Sequence, residues 1–356
     1  KATVASETRA AARGGITTLC TPPDTDPVVD TPAVVELIHQ RAAASGLARV
    51  EVLGALTRGL EGNLLAEMGA LRDAGCIGVS NAYGPVGSTE VMRRAMEYAS
   101  SFGLTVFVHA EDPWLAAGRM VHHGVVSTRL GLPGIPEIAE TIGVARELLL
   151  VEQTGARVHF CRLSTAPAVE MVRDAQAHGL PVSADVAIHQ LLLCEEDVDG
   201  FDARCHVRPP LRTPADREGL RRGLRDGIIA AVCSDHQPHE VDAKLNPFPE
   251  TLPGISALDS LLALALTLVD DDMLALDAMV RALTVGPARV LGLERGTLRA
   301  GDAADICIFD AGERWVLDET SMVSRGHNTP FSGRTLAGRV ACTILGGEIV
   351  YETPPR

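Results

Sequence analysis

Short apolar and β-branched runs recur along the chain, each followed by a loop and a longer stretch with helical spacing. Ile16–Cys20 precedes a helical pattern over Pro32–Ser45, Arg49–Leu53 precedes Glu61–Ala74, and Cys76–Ser80 precedes Ser88–Phe102. Leu104–His109 leads through a longer loop to Ile135–Glu152, and Arg157–Cys161 leads to Ala166–His178. Pro181–Val186 and Gly227–Cys233 complete the series, the latter followed by Ile255–Val269. Runs this short and this apolar read as strands buried on both faces. Regular alternation of strand and helix predicts a parallel sheet with right-handed crossovers.

An open doubly wound sheet and a closed barrel both satisfy that pattern. No glycine fingerprint for a dinucleotide follows the first run, and polar residues stand at the carboxyl ends of several different runs: Asp24, Asn81, His109, Arg162, His189 and Asp235. Both features favour an α/β fold of the (β/α)8 TIM-like barrel type, with its site on the top face. Seven runs are visible where eight are needed, so the first strand is expected upstream of Lys1, and Ala2–Arg13 reads as a helix already under way. Met273–Leu291 looks helical. Asp305–Phe309, Gly338–Leu345 and Glu348–Tyr351 then read as strands, the last two joined by Gly346-Gly347, a hairpin signal. The expected organisation is a barrel lacking its first strand over 1–292 and the C-terminal part of a small β-sandwich domain over 293–356.

Composition narrows this reading. Hydrophobic residues make up 46% and aromatics 3%, so the core must be filled by Ala, Leu, Val and Ile, as suits a helix-covered parallel sheet. A formal charge of -14 offers no positive field for nucleic acid. The eight cysteines are scattered without a CxxC pair, which favours free thiols in a reducing compartment and hence a cytoplasmic location. The apolar run Leu261–Val269 is too short to span a bilayer, and no membrane association is expected.

The sharpest chemistry lies in Ser234-Asp235-His236-Gln237-Pro238-His239, where a strand delivers an Asp that can bind a metal and exchange a proton with attacking water. Capping of the next helix is the structural alternative. His109, in His109-Ala110-Glu111-Asp112, is placed as an imidazole ligand, with Glu111 or Asp112 available to orient it; a satisfied rim histidine explains it equally well. In His159-Phe160-Cys161-Arg162, alternation puts Arg162 where a ligand from this strand would point. A guanidinium has no lone pair to give a metal, though it can pair with a carboxylate such as Asp235. Neither Asn81 nor Ala82 supplies the anionic bridge of a two-metal centre. Arg208-Pro209-Pro210-Leu211-Arg212 reads as a rigid surface loop.

Together these segments resemble the long-type dihydroorotases of the amidohydrolase superfamily, and most of all their non-catalytic relatives that accompany aspartate carbamoyltransferase. The resemblance runs from Ala10–Gly15 through Gly59–Gly62, Arg129–Pro133 and Pro209–Arg212 to Ser234–His236. It implies that His109 and Asp235 are remnants of a metal centre, Asp235 also being a vestigial acid/base. Arg162, and Asn81 or Ala82, occupy lost ligand positions. Asp24, Arg208 and His239 match substrate-binding positions, the first two altered and the third retained.

The function implied is a non-catalytic dihydroorotase homologue, with no cofactor expected, that binds and stabilises the aspartate carbamoyltransferase catalytic chain in pyrimidine biosynthesis; the sequence leaves a homodimer open. The alternative is an active zinc-dependent dihydroorotase or related cyclic amidohydrolase. A metal-free sensor holding a small anion through His239, Arg208 and Arg212 is a third reading.

Overall fold

The computed structural model describes residues 2–271 and 273–354. Seven strands form one parallel sheet: β1 (Thr18–Thr21), β2 (Arg49–Ala55), β3 (Cys76–Ser80), β4 (Thr105–Val108), β5 (Val158–Phe160), β6 (Val182–Ala187) and β7 (Ala231–Cys233), hydrogen-bonded in that order. Every pairing is parallel. The sheet curls, bringing Asp24, just beyond β1, within electrostatic reach of Arg162 and of Asp235, just beyond β7. This is a TIM-barrel-like core.

The strands are short because each spends three to seven residues crossing the core before its carboxyl end opens into a top-face loop. Helices cover the outside and bury the aliphatic stripe that the spacing predicts: Met92, Ala95, Met96 and Ala99 from Thr89–Ser101, and Ala168, Val169, Val172 and Ala175 from Ala166–Ala177. A third helix, Ile138–Thr154, approaches the backbone at Ala110 and Glu111 so closely that a Cβ on Gly143 would lie 2.7 Å from both. That glycine seats the segment carrying His109 and Glu111 directly against the helix.

Two helical expectations need correction. Glu61–Ala74 holds only a short helix, Met68–Asp73, because Gly59 and Gly62 take positive φ and a Thr57–Leu65 bridge closes a loop before it. Met273–Leu291 is broken into Leu276–Leu283 and Val285–Val290 at Thr284, whose φ of -127° and ψ of -84° are non-helical. There Gly286 packs on Ala230 so tightly that a Cβ would fall 2.0 Å from its carbonyl oxygen.

After the barrel, β8 (Ile306–Val316), β9 (Thr335–Leu345) and β10 (Glu348–Glu352) form an antiparallel sheet. β8 runs well past the expected Phe309, through irregular pairings that absorb Asp310–Arg314. This sheet packs on helix Leu261–Asp270 and on the first helix, Val4–Arg13. No helix of the described residues is long and apolar enough to cross a membrane, and the eight cysteines are free thiols.

Glu7 ties that first helix to the top of β7. Its carboxylate meets His236 Nε2 at 2.8 Å and accepts the hydroxyls of Ser324 and Ser6, each at 2.7 Å. Burial opposes its charge, yet the hydrogen bonds from His236, Ser6 and Ser324 prevail and hold it at about 2, against 4.5 for a free glutamate. With the folded value below the unfolded one, Glu7 stabilises the fold above pH 4.5, and the contribution fades as pH falls towards 2. Glu7→Gln is therefore expected to flatten the decline of stability across that interval. Denaturant melts at stepped pH measure this, and identical acid limbs for the two proteins would contradict it.

Candidate functional site

The tips of β3, β4, β5 and β7 converge on one polar knot. Asp235 and Arg162 face each other, with Arg162 Nε 3.7 Å from Asp235 Oδ1 and side chains only 6% and 13% exposed. Tyr83 joins them. Its hydroxyl lies 3.1 Å from Asp235 Oδ1 and 3.0 Å from the Arg208 carbonyl, and it accepts a hydrogen bond from Gln237 Nε2 at 2.8 Å. The Arg162 guanidinium sits over the Tyr83 ring, 4.4 Å from its centre, a cation–π arrangement. Burial works against the charge of Arg162, but Tyr83 and Asp235 hold the guanidinium protonated more firmly than usual. Burial also pushes the Tyr83 hydroxyl well above its ordinary value. Arg162, Asp235 and Ala82 all have positive φ, at 57°, 43° and 48°, so the backbone turns sharply at these tips.

His109 packs edge-on against Tyr83, with ring centres 5.0 Å apart, and its Nε2 is 3.7 Å from Glu111 Oε1. Burial lowers its pKa, keeping the imidazole neutral. Glu111 is gripped by Arg208, whose Nε donates at 3.0 Å. Asp112 does not orient His109; it caps helix Pro113–Ala116. Asn81 is consumed by its own loop, accepting from Thr57 and donating to the Leu60 and Gly84 carbonyls. His189 is fully buried, with neither ring nitrogen hydrogen-bonded, and burial drives its pKa to about 4. Asp24 stands at the exposed rim. His239 Nε2 is 2.8 Å from the Pro253 carbonyl, and its backbone N–H is held by Asn328.

His109 Nε2 and Asp235 Oδ2 are buried without hydrogen-bond partners and are chemically suitable donors. Among the described residues, however, they belong to no set of three donors within 4.8 Å, and a guanidinium adjoins Asp235.

The donor trio that does occur among the described residues is His159, Cys161 and Asp185, deeper in the barrel. The family resemblance implies no cofactor; against that, this set combines imidazole, thiol and carboxylate, the groups that bind zinc. It is also hydrogen-bonded internally. His159 Nε2 is 2.9 Å from Asp185 Oδ2 and Nδ1 is 2.8 Å from Ser183 Oγ, while Asp185 Oδ1 accepts the Arg162 N–H at 2.6 Å. Burial and Asp185 both raise the Cys161 thiol, so taking up a metal there means displacing a proton from sulfur. The strand alternation turns His159 away from Arg162, but nothing in it pairs His159 with Asp185. The available signal is the carboxylate inside the apolar run Pro181–Val186.

Arg212 is a further correction. Expected on a surface loop, it is 1% exposed. Its Nε donates to Ser164 Oγ at 3.0 Å and its Nη1 to the Ile135 carbonyl at 2.8 Å. Ser164 in turn donates to Glu140, which also accepts the backbone N–H groups of Ser164 and Thr165 and the Thr165 hydroxyl. This buried chain anchors the turn immediately after Arg162. Lys244 caps the neighbouring loop, donating to the Leu252 carbonyl at 2.6 Å, and burial lowers its pKa to about 8.

Known structures share this architecture. L-Hydantoinase from Arthrobacter aurescens superposes with a TM-score of 0.87 at 24% identity, over 99% of this chain and 80% of that one. Dihydropyrimidinase from Brevibacillus agri gives 0.83 at 20% identity, over 98% and 79%. These define the fold, an amidohydrolase-type barrel with an attached β sheet. Sequence takes the assignment further. Residues 1–167 match the dihydro-orotase-like family and residues 224–351 the amidohydrolase family. A dihydroorotase-like protein of Pseudomonas aeruginosa is 50% identical over 99% of this chain and 83% of its own length. A dihydroorotase of Anaeromyxobacter sp. strain K is 46% identical over 99% and 82%. The chain belongs to the dihydroorotase-like family of the amidohydrolase superfamily.

Proposed function

We propose that this chain is a non-hydrolytic member of its family, acting as a subunit that binds and stabilises the catalytic chain of aspartate carbamoyltransferase. The observation that carries the loss of hydrolysis is the buried Arg162–Asp235 pair. Metal-dependent amide hydrolysis needs a bound cation to polarise the carbonyl and to supply hydroxide near neutral pH. A fixed guanidinium next to the acid/base carboxylate repels such a cation and adds no lone pair. Asn81, engaged in its loop, and Ala82 supply no bridging anion. On this reading His109 and Asp235 are remnants of a metal centre, and Asp24, Arg208 and His239 of a substrate pocket. The partner rests on the family resemblance, and a cytoplasmic location accompanies it. Sedimentation of the chain mixed with aspartate carbamoyltransferase is expected to give one faster boundary; separate boundaries at micromolar concentrations would defeat the partner assignment.

A second reading, a zinc-dependent cyclic amidohydrolase, is favoured by the His159–Cys161–Asp185 trio and by relatives named as dihydroorotases. Metal analysis together with dihydroorotate hydrolysis separates the two. The proposal expects no metal-dependent turnover. Stoichiometric zinc, with turnover abolished by Asp235→Asn, would establish the second reading.

A further inference from the structure

Parallel barrels fill their interior with layers of branched aliphatic side chains. This one departs from that rule on its β5–β7 side. Alternation along β5 and β6 sends Val158, Phe160, Ala184 and Val186 outward, into the aliphatic layer beneath the helices. The opposite face receives His159, Cys161, Ser183 and Asp185, with the imidazole in contact with both Ser183 and Asp185. β7 adds Cys233, whose thiol donates to Asp185 Oδ1 at 3.4 Å. Cys20 of β1 stands within electrostatic reach of Cys161 and Asp185. The inner face thus gathers an imidazole, a carboxylate and three thiols. A hydrogen-bonded His159–Asp185 pair accounts for two of these groups and leaves the sulfur unexplained.

We propose that His159, Cys161 and Asp185, with Cys233 as fourth donor, form a structural site for one thiophilic divalent cation, zinc, that staples β5, β6 and β7 together. The three leading ligand atoms already lie within 4.8 Å of one another. A tetrahedral zinc sets mixed nitrogen, oxygen and sulfur ligands roughly 3.3–3.8 Å apart. The His159–Asp185 contact of 2.9 Å therefore has only to open slightly. Ser183 at Nδ1 fixes the ring so that Nε2 points at Asp185, the way an outer partner orients a ligating imidazole. Asp185 is prepared in the same sense. Its Oδ1 accepts the Arg162 N–H and the Cys233 thiol, which leaves Oδ2, the oxygen facing His159, for the ion.

The protons balance. As the ion arrives, the Nε2 proton gives way and Nδ1 takes one up, with the Ser183 hydroxyl turning from donor to acceptor. Cys161 and Cys233 each release a proton to solvent and bind as thiolates. Sulfur and imidazole select zinc over magnesium or calcium, which take oxygen ligands. Four protein donors complete a tetrahedral ion and leave no position for a hydrolytic water, as in structural zinc sites. The site shares no donor with His109 or Asp235 and rests on neither reading of the strand tips.

The test uses the whole chain, stripped with a chelator, kept reduced and titrated with Co2+ and then Zn2+. One equivalent of Co2+ is expected to bind with the intense thiolate-to-cobalt charge-transfer absorption of a tetrahedral site, and zinc to displace it. Cys161→Ser should weaken that band and lower zinc affinity by at least about tenfold. The Cys161 thiol makes only a 3.9 Å contact with the His159 carbonyl, so this variant keeps its fold, which circular dichroism checks. His109→Gln at the strand tips and Cys342→Ser in the C-terminal sheet should bind as the wild type does. Wild-type protein that takes up no stoichiometric Co2+, or takes it up without the band, would overturn the proposal. A band unchanged in Cys161→Ser or lost in His109→Gln would do the same. Hydrolysis by the same loaded samples decides the enzymatic reading separately, since the band reports the thiolates whether or not substrate is turned over.

Discussion

Arg162→Met is expected to lower the unfolding free energy by about 3–5 kcal/mol, the usual effect of stripping one partner from a buried ion pair. Asp235 is 6% exposed, its Oδ2 has no hydrogen-bond partner, and the guanidinium is the cation beside it. Without Arg162 the carboxylate is left with the Tyr83 hydroxyl and Gln237, both neutral. Tyr83 meanwhile loses the cation over its ring. Asp235→Asn in the Arg162→Met background should restore much of the loss by removing the stranded charge. The double-mutant cycle, run as urea or guanidinium melts, therefore has a large coupling term. Simple additivity would mean that the pair does not organise the strand tips, and the non-hydrolytic reading would lose its main support.

The second large effect is expected at Glu140. Glu140→Ala removes an acceptor that satisfies two backbone N–H groups and two hydroxyls, and it isolates the buried Arg212 cation behind Ser164. A loss of about 3–5 kcal/mol follows from leaving these groups unpaired in a dry interior. Glu140→Gln keeps the shape and two acceptor lone pairs and should cost roughly half as much. Hydrogen exchange gives a second readout: the Ser164 and Thr165 amides should lose protection in Glu140→Ala before the surrounding helices do. Protection unchanged at those two amides would place their anchor elsewhere.

Much of the fold could be read from local pattern. The run Cys76–Ser80 coincides with β3, and the other six strands lie within a few residues of their apolar runs, because a strand buried on both faces leaves an almost uninterrupted hydrophobic signature. The polar residues at the strand tips were legible for the same reason, since they mark where the apolar run ends. Long-range partnerships were not. Nothing near His159 announces Asp185, and nothing near Arg212 announces Glu140, because these contacts depend on the curvature of the sheet. Tyr83 was similarly hidden: an aromatic in a loop gives no sign that it will carry a guanidinium on its face. The Thr284 break is invisible in the pattern because periodicity continues across it, whereas the close packing of Gly286 on Ala230 is a tertiary demand.

The left-handed backbone at Ala82, Arg162 and Asp235 has a further consequence. Non-glycine residues seldom adopt that conformation, and each instance draws on stability gained elsewhere in the structure. The barrel thus holds these tips under tension. A β-branched side chain at any of the three points would clash with its own backbone, so the residues that can stand at this rim are limited by the turn as well as by the chemistry they offer.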